Sequence, residues 1–564
     1  MSMGLALARF AVAACATALA LPAGASVRVV VHSVDPPGVG LNDPTPAAPV
    51  GGNSGTTLGE QRRILLQFAA DLWGATLTSD VDIVLQATFA PLPCNRFGAI
   101  LGSAGSIRIL ADFPNSPRAA TWYPSALANR IAGVDLAPGP QDPGFLEPPF
   151  NDDLFAVFNG AIGTDPNCLA GLGWYYGLDD DTGGLLDLLE VVVHELAHGL
   201  GFQDFVNELD GSSPLGLDDV FGTFTLDTFL GRHWSDLAPI QRVRSATRTG
   251  ELVWDGPHVR AQAPYELDRR PSVRVLAPAS ISGEIEVQPA AYGPPVDAVG
   301  VSGRVVLADD GSGTATDACQ PLVGNYTGAI VLIDRGSCSF TSKTAAAEAV
   351  GARGVIVANQ TPDGFPPMGG DDSTIGIPSV GILQSDGQRL RDAIPGVEAE
   401  IRLSERLLQG ANADGNIRLY APRPLEPGSS VAHWDTVATP DLLMEPFLDG
   451  EASPVESVDL TSRLLADIGW DTCPDSDFGE TVVVGRCDSG VGNRVLDSGC
   501  TIADLVRGCA GASTPGRFVR CVANQTGALK RRGVIDGVEQ GKIVACAAHG
   551  RRAPERAPGS AASR

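Results

Sequence analysis

Apolar residues return at helical spacing through residues 55–77, where Leu65, Phe68, Ala69, Leu72 and Trp73 follow a polar start. That interval predicts a helix with one face in a core. Two short apolar-rich stretches, 81–89 (VDIVLQATF) and 153–160 (DLFAVFNG), predict strands. Residues 185–193 (LLDLLEVVV) are almost continuously apolar, so the helix they begin is expected to be buried on all sides. Farther along, 329–340 reads as a strand ending in a turn, 341–354 as an alanine-rich helix and 354–360 as a second strand. Together these form a βαβ unit. Residues 459–470 (DLTSRLLADIGW) predict one more helix.

The ends of the chain differ in composition from this body. In the first 25 residues, Arg9 precedes an apolar run through Leu21 and the small residues Ala23, Gly24 and Ala25. This is the pattern of a cleaved secretory leader, and implies bacterial export to the extracellular space. No later run is long and apolar enough to span a bilayer. The chain has 11 cysteines. Once Cys15 leaves with the leader, Cys94, Cys168, Cys319, Cys338, Cys473, Cys487, Cys500, Cys509, Cys521 and Cys546 remain, an even set suited to disulfides. Residues 473–549 carry six of them, with helical spacing at 501–510 and 516–533, and predict a small helical domain stapled by disulfides. Cys473 is expected to pair with Cys487, leaving three connectivities for the other four. Residues 550–564, rich in Arg, Pro, Ala and Ser, predict a disordered tail.

A formal net charge of −26 argues against nucleic acid or an anionic membrane surface as partner. The run Asp179, Asp180, Asp181 offers acidic oxygens to Ca2+, but lacks the spacing of a calcium loop and reads better as a solvated turn. Nothing in the pattern specifies an oligomeric state.

The buried helix runs directly into HELAHGLGF, residues 194–202. His194 and His198 lie four apart on one helical face, with Glu195 beside the first. Burying these groups unpaired would cost several kcal/mol, about 1–3 per neutral polar group and more for a charge. Two imidazoles at this spacing can hold zinc, and a neighbouring glutamate can act as base toward a water molecule. Gly199 and Gly201 then allow the helix to end and the chain to turn.

At this point the stretch resembles the metzincin signature HExxHxxGxxH. The resemblance implies an α+β zincin catalytic domain, a mixed sheet plus a zinc-binding helix, in which an exposed strand edge receives the substrate as an added strand. It also implies a third zinc ligand and a methionine turn beneath the metal. The position three residues after the motif's second glycine holds Asp204, one candidate for the ligand. Of four methionines, Met1 and Met3 fall in the leader and Met368 in a segment assigned below to another domain, which leaves Met444. Met444 follows His433 by eleven residues in VAHWDTVATPDLLMEP. This arrangement resembles the leishmanolysin family, where an insertion separates the second and third ligands, and implies His433 as ligand, Asp204 as the alternative. His233 and His258 have no suitably spaced methionine after them.

The segment between His198 and His433 is far too long for a plain loop. Its βαβ unit, with Arg335, Gly336, Cys338, Phe340, Lys343, Gly351, Ala352, Gly354 and Asn359, resembles the protease-associated (PA) domain. The resemblance implies a Cys319–Cys338 disulfide and a lid or a module binding substrate or partner, with no catalytic residues of its own. The expected organisation is a leader at 1–25, a catalytic domain at 26–282 and 406–472, an inserted α/β PA domain at 283–405, the cysteine-rich domain at 473–549 and the tail. The expected activity is that of a secreted zinc endopeptidase acting on proteins or peptides. A non-catalytic extracellular binding or adhesion protein on a zincin scaffold is the alternative.

Overall fold

A computed structural model describes residues 27–549, apart from 137–151, 180, 363, 449–452, 455–457, 473–480, 486, 495, 497–499, 510–514 and 532. The leader, the tail, Asp180 and Cys473 lie outside the described residues. The expected long helix spans Leu58–Thr76, entered through Thr57, whose hydroxyl accepts from the Glu60 N–H. Its buried face includes Leu65, Leu66, Ala69, Ala70 and Trp73. It packs on a four-stranded sheet in which Val29–Ser33, Ile83–Ala90 and Leu154–Asn159 run parallel. Gly102–Ser106 adds to Leu154–Asn159 as an antiparallel edge strand. Its sequence, GSAGS, has no apolar alternation, and its place comes from pairing rather than from propensity.

The motif helix spans Leu188–Leu200. It starts later than the apolar run because the Asp187 carboxylate accepts from the Leu189 N–H as a cap, while Leu186–Asp187 pairs with Trp174–Tyr175. Nearly all its side chains are buried. Two indoles brace it: Trp73 Nε1–H donates to Val193 O at 3.0 Å, and Trp470 Nε1–H donates to Leu200 O at 2.8 Å. The second satisfies a carbonyl that a helix end leaves without an intrahelical partner. Gly201 closes the helix at φ 130, where Ile468 leaves no room for a Cβ.

The chain between the motif helix and His433 builds a separate eight-stranded sheet. Ile330–Asp334, Gly354–Ala358 and Ser379–Ile382 are parallel neighbours, and the helix Phe340–Ala349 forms the expected crossover. Arg269–Ala277 pairs with Glu398–Leu408 in the same sheet, so the inserted unit draws in residues ahead of 283. Where it begins and ends, two stretches of chain run side by side: Gln409 N–H donates to Asp268 O at 2.8 Å, and Asp268 N–H donates to Thr439 O at 2.6 Å.

The C-terminal unit contains the two expected helices, Ile502–Gly508 and Pro515–Arg531, followed by Gly537–His549. It also has a hairpin of Thr481–Val484 with Cys487–Gly492, which helical spacing did not anticipate. The expected Cys473–Cys487 bridge is replaced by Cys487–Cys546, because the hairpin strand that Cys487 opens packs against the last helix. Cys509 pairs with Cys521, and Cys500 is also disulfide-bonded. Cys94–Cys168 forms ahead of the motif helix and Cys319–Cys338 in the inserted region.

Trp470→Phe keeps the buried ring but strips the Leu200 carbonyl of its indole donor. The expected loss is about 1–3 kcal/mol of unfolding free energy, read from urea denaturation.

Candidate metal centre

His194, His198 and His433 come together, with ligand-capable nitrogens all within 4.8 Å of one another. Among the described residues, no other group of three or more His, Cys, Asp or Glu side chains converges in this way. The Nε2 of His194 lies 3.1 Å from that of His198 and 3.2 Å from that of His433. On each ring the other nitrogen faces a backbone carbonyl: His194 Nδ1 faces Leu443 O at 2.7 Å, His198 Nδ1 faces Phe202 O at 2.7 Å, and His433 Nδ1 faces Ser429 O at 2.8 Å.

A carbonyl oxygen only accepts, so each Nδ1 carries the hydrogen and, in a neutral ring, each Nε2 is bare. The bare Nε2 of His194 then faces the other two at 3.1 and 3.2 Å, with all three within 4.8 Å of one another. Protonation would relieve this, but burial disfavours it. Burial, then the neighbouring His198, pulls His194 down from the ordinary 6.5 to about 3. Burial pulls His198 down to about 4, and burial with both other imidazoles holds His433 well below the ordinary range. The remaining relief is a cation that accepts all three lone pairs. A donor set of neutral imidazoles, each oriented by a carbonyl, fits a zinc-class metal ion rather than Ca2+ or Mg2+.

Glu195 points toward the edge strand. Burial raises its carboxyl to about 8, opposed by a hydrogen bond from the Ala104 N–H. Gly102 presses against it closely: a Cβ there would stand 2.7 Å from Glu195 Oε1 and 2.9 Å from Cγ. No other strand pairs with the far side of Gly102–Ser106 among the described residues.

His433 reaches the site on a tightly held loop. Tyr420 N–H donates to His433 O, Val431 N–H donates to Tyr420 O, and Val431 adopts φ 72, which is unusual for a β-branched residue. Phe202 meets Trp434 edge-on at 5.0 Å beneath this loop. Met444 is fully buried in a turn closed by Glu445 N–H to Leu442 O, and its own carbonyl accepts from the Trp434 N–H.

Asp204 lies outside the group. Its carboxylate accepts from the Val206 N–H, and burial beside Asp219 raises its pKa. His233 pairs with Asp255 and His258 with Asp467, away from the three. Asp179 accepts from the Tyr175 hydroxyl and joins no metal-binding group among the described residues.

The segment inserted between His198 and His433 has known relatives. Residues 301–390 match the PA domain family. The matched stretch contains none of the three histidines. Among curated proteins, the chain is 28% identical over 222 residues to "Probable leucine aminopeptidase 2" of Arthroderma benhamiae, covering 38% of this chain and 42% of that protein. It is 29% identical over 211 residues to "Leucine aminopeptidase 2" of Arthroderma otae, covering 36% and 40%. A shorter likeness, 35% over 78 residues, joins it to "Signal peptide peptidase-like 2" of Arabidopsis thaliana, covering 13% and 14%. The chain thus spans about two fifths of the length of the aminopeptidases it matches. A solved zinc aminopeptidase from Bacillus subtilis aligns with 24% of this chain and 31% of its own, at 27% identity and a TM-score of 0.19.

Sequence reasoning passed over two parts of the site. The edge strand with Gly102 and Ala104 carries no strand pattern, and only its two small residues flanking Ser103 hint at a close approach. The three orienting carbonyls leave no trace in side-chain identity at all.

Because the folded protein holds these imidazoles neutral, the unfolded chain binds more protons below the ordinary histidine pKa. In chelator-treated protein the imidazole contribution to stability should be fully present above pH 6.5 and be lost as pH falls toward 4, while the raised Glu195 carboxyl works in the opposite direction as pH rises toward 8. Urea midpoints measured at pH 7, 6 and 5 check this, and His194→Gln should flatten the slope.

Proposed function

We propose that this chain is a zinc-dependent peptidase that cleaves within polypeptides, with His194, His198 and His433 as ligands and Glu195 as general base. The observation that carries the reading is the convergence of three bare Nε2 atoms next to a buried carboxylate. When bound there, a zinc ion supplies Lewis acidity that lowers the pKa of a water molecule and polarises a carbonyl. The chain's own groups provide the rest. Carbonyls of Leu443, Phe202 and Ser429 hold the imidazoles in one tautomer, so no ring must reorient on binding. The Glu195 carboxyl, raised toward neutral pH by burial, suits both taking a proton from water and returning it to a leaving amine. Met444 forms part of the apolar packing on the same turn as Leu443, a structural role.

Among the described residues no strand pairs with the far side of Gly102–Ser106, so an extended peptide can join the sheet there as an added strand beside Glu195. A peptide bound as an added strand extends in both directions from Glu195, which favours cleavage inside a chain. The names of the curated relatives favour a second reading, removal of N-terminal residues. The PA domain would bind substrate or partner, and the leader would send the protein out of the cell.

Purified protein should cleave an internally quenched peptide blocked at both ends, lose activity to a chelator and regain it with zinc. Activity on leucine amide alone, with none on the blocked peptide, supports the second reading. Inactivity on both after zinc reconstitution sinks the enzyme and favours the binding-protein alternative. Glu195→Gln should lower kcat/KM by about 10²–10⁴ while retaining zinc. Gly102→Ala should displace the carboxylate and lower kcat with zinc content unchanged.

A further inference from the structure

Leu443 stands between the candidate metal centre and the closing helix. Its C=O accepts from His194 Nδ1–H at 2.7 Å, while its N–H donates to Asp459 Oδ2 at 2.5 Å. Both groups flank one Cα, so anchoring the N–H side restricts where the carbonyl can aim. Asp459 is itself held. Its Oδ1 accepts from the Thr461 N–H and the Thr461 hydroxyl, each at 2.8 Å. It sits two residues ahead of the helix Thr461–Ile468 with φ 40, a conformation few non-glycine residues adopt. Backbone strain of this kind persists where surrounding contacts over-determine it.

The turn has other anchors: Glu445 Oε1 accepts from the Leu442 N–H at 3.1 Å, and Trp434 N–H donates to Met444 O at 2.8 Å. These fix its outline. Asp459 acts on Leu443 itself.

We propose that Asp459 is a positioning residue for the metal centre, which through the Leu443 backbone sets the ring orientation of His194 and so the direction of its Nε2 lone pair. The proposal rests on the three-histidine metal reading and extends it to a residue of the closing helix. A rigid line then runs from Thr461 through Asp459 and Leu443 to His194. An orienting partner of a ligand typically contributes 10–100-fold to metal affinity, about that of a hydrogen-bonded group one step removed from the metal.

The test uses the full chain, with Asp459→Asn and Thr461→Val beside the wild type. Asp459→Asn keeps the shape but turns one acceptor into a donor facing other donors. Thr461→Val leaves Asp459 in place and removes one of its anchors. Zinc affinity is measured by competition with a chromogenic chelator, the visible absorption bands by cobalt substitution, and the stability of metal-free protein by urea. The expected result for Asp459→Asn is shifted cobalt bands and zinc binding weakened by part of the roughly 10–100-fold that an orienting partner such as the Leu443 carbonyl contributes, about 10-fold. Thr461→Val should show a smaller change in the same direction. Wild-type zinc affinity and cobalt bands in a folded Asp459→Asn protein overturn the proposal, whatever happens to its stability. If Asp459→Asn does not fold, the same criterion applies to Thr461→Val. A His433→Ala protein that binds zinc as tightly as wild type overturns the metal reading itself, an outcome independent of the Asp459 result.

Discussion

Three imidazole lone pairs forced to face one another are the constraint from which the rest of the region around the motif helix follows. Each ring is turned inward by a backbone carbonyl from a different place: the turn after the motif helix, the loop before His433 and the turn holding Met444. Such an arrangement is unfavourable for the empty protein and favourable only around a cation. The surrounding scaffold therefore has to hold it. Buried packing of the motif helix, the two bracing indoles and the Phe202–Trp434 contact supply that rigidity.

The site is also asymmetric. The motif helix brings two imidazoles and a carboxylate in one piece, whereas the third imidazole arrives from far along the chain. On one side, the edge strand presses glycine and a peptide N–H against Glu195. On the other, the His433 loop is held through Tyr420 and a strained Val431. Chemistry is thus placed at the seam between a sheet edge and a loop.

What the sequence made legible follows the physical source of each feature. HELAHGLGF announces its helix, its ligands and its exit turn because side-chain identity carries all three. The βαβ unit is legible because two apolar strands flank a small-residue helix, and residues 301–390 match the PA domain family. His433 was reachable because methionine is scarce and Met444 follows it. The edge strand was not, since glycine and serine report only backbone closeness. Nor were the orienting carbonyls, which every residue possesses. The Cys487–Cys546 bridge was missed because pairing depends on how a hairpin meets a helix, and spacing says nothing about that.

The side-by-side neck of the inserted domain has a consequence for assembly. In the unfolded chain, His198 and His433 are the ends of a very long loop whose closure carries an entropic cost. Once the PA domain folds, its entry and exit are joined at Asp268 and Gln409, and the loop shortens to residues 199–267 and 410–432. Asp268 also grips Thr439, between His433 and Met444. A folded insertion therefore works as a clasp: by closing on itself, it delivers the third imidazole to the other two.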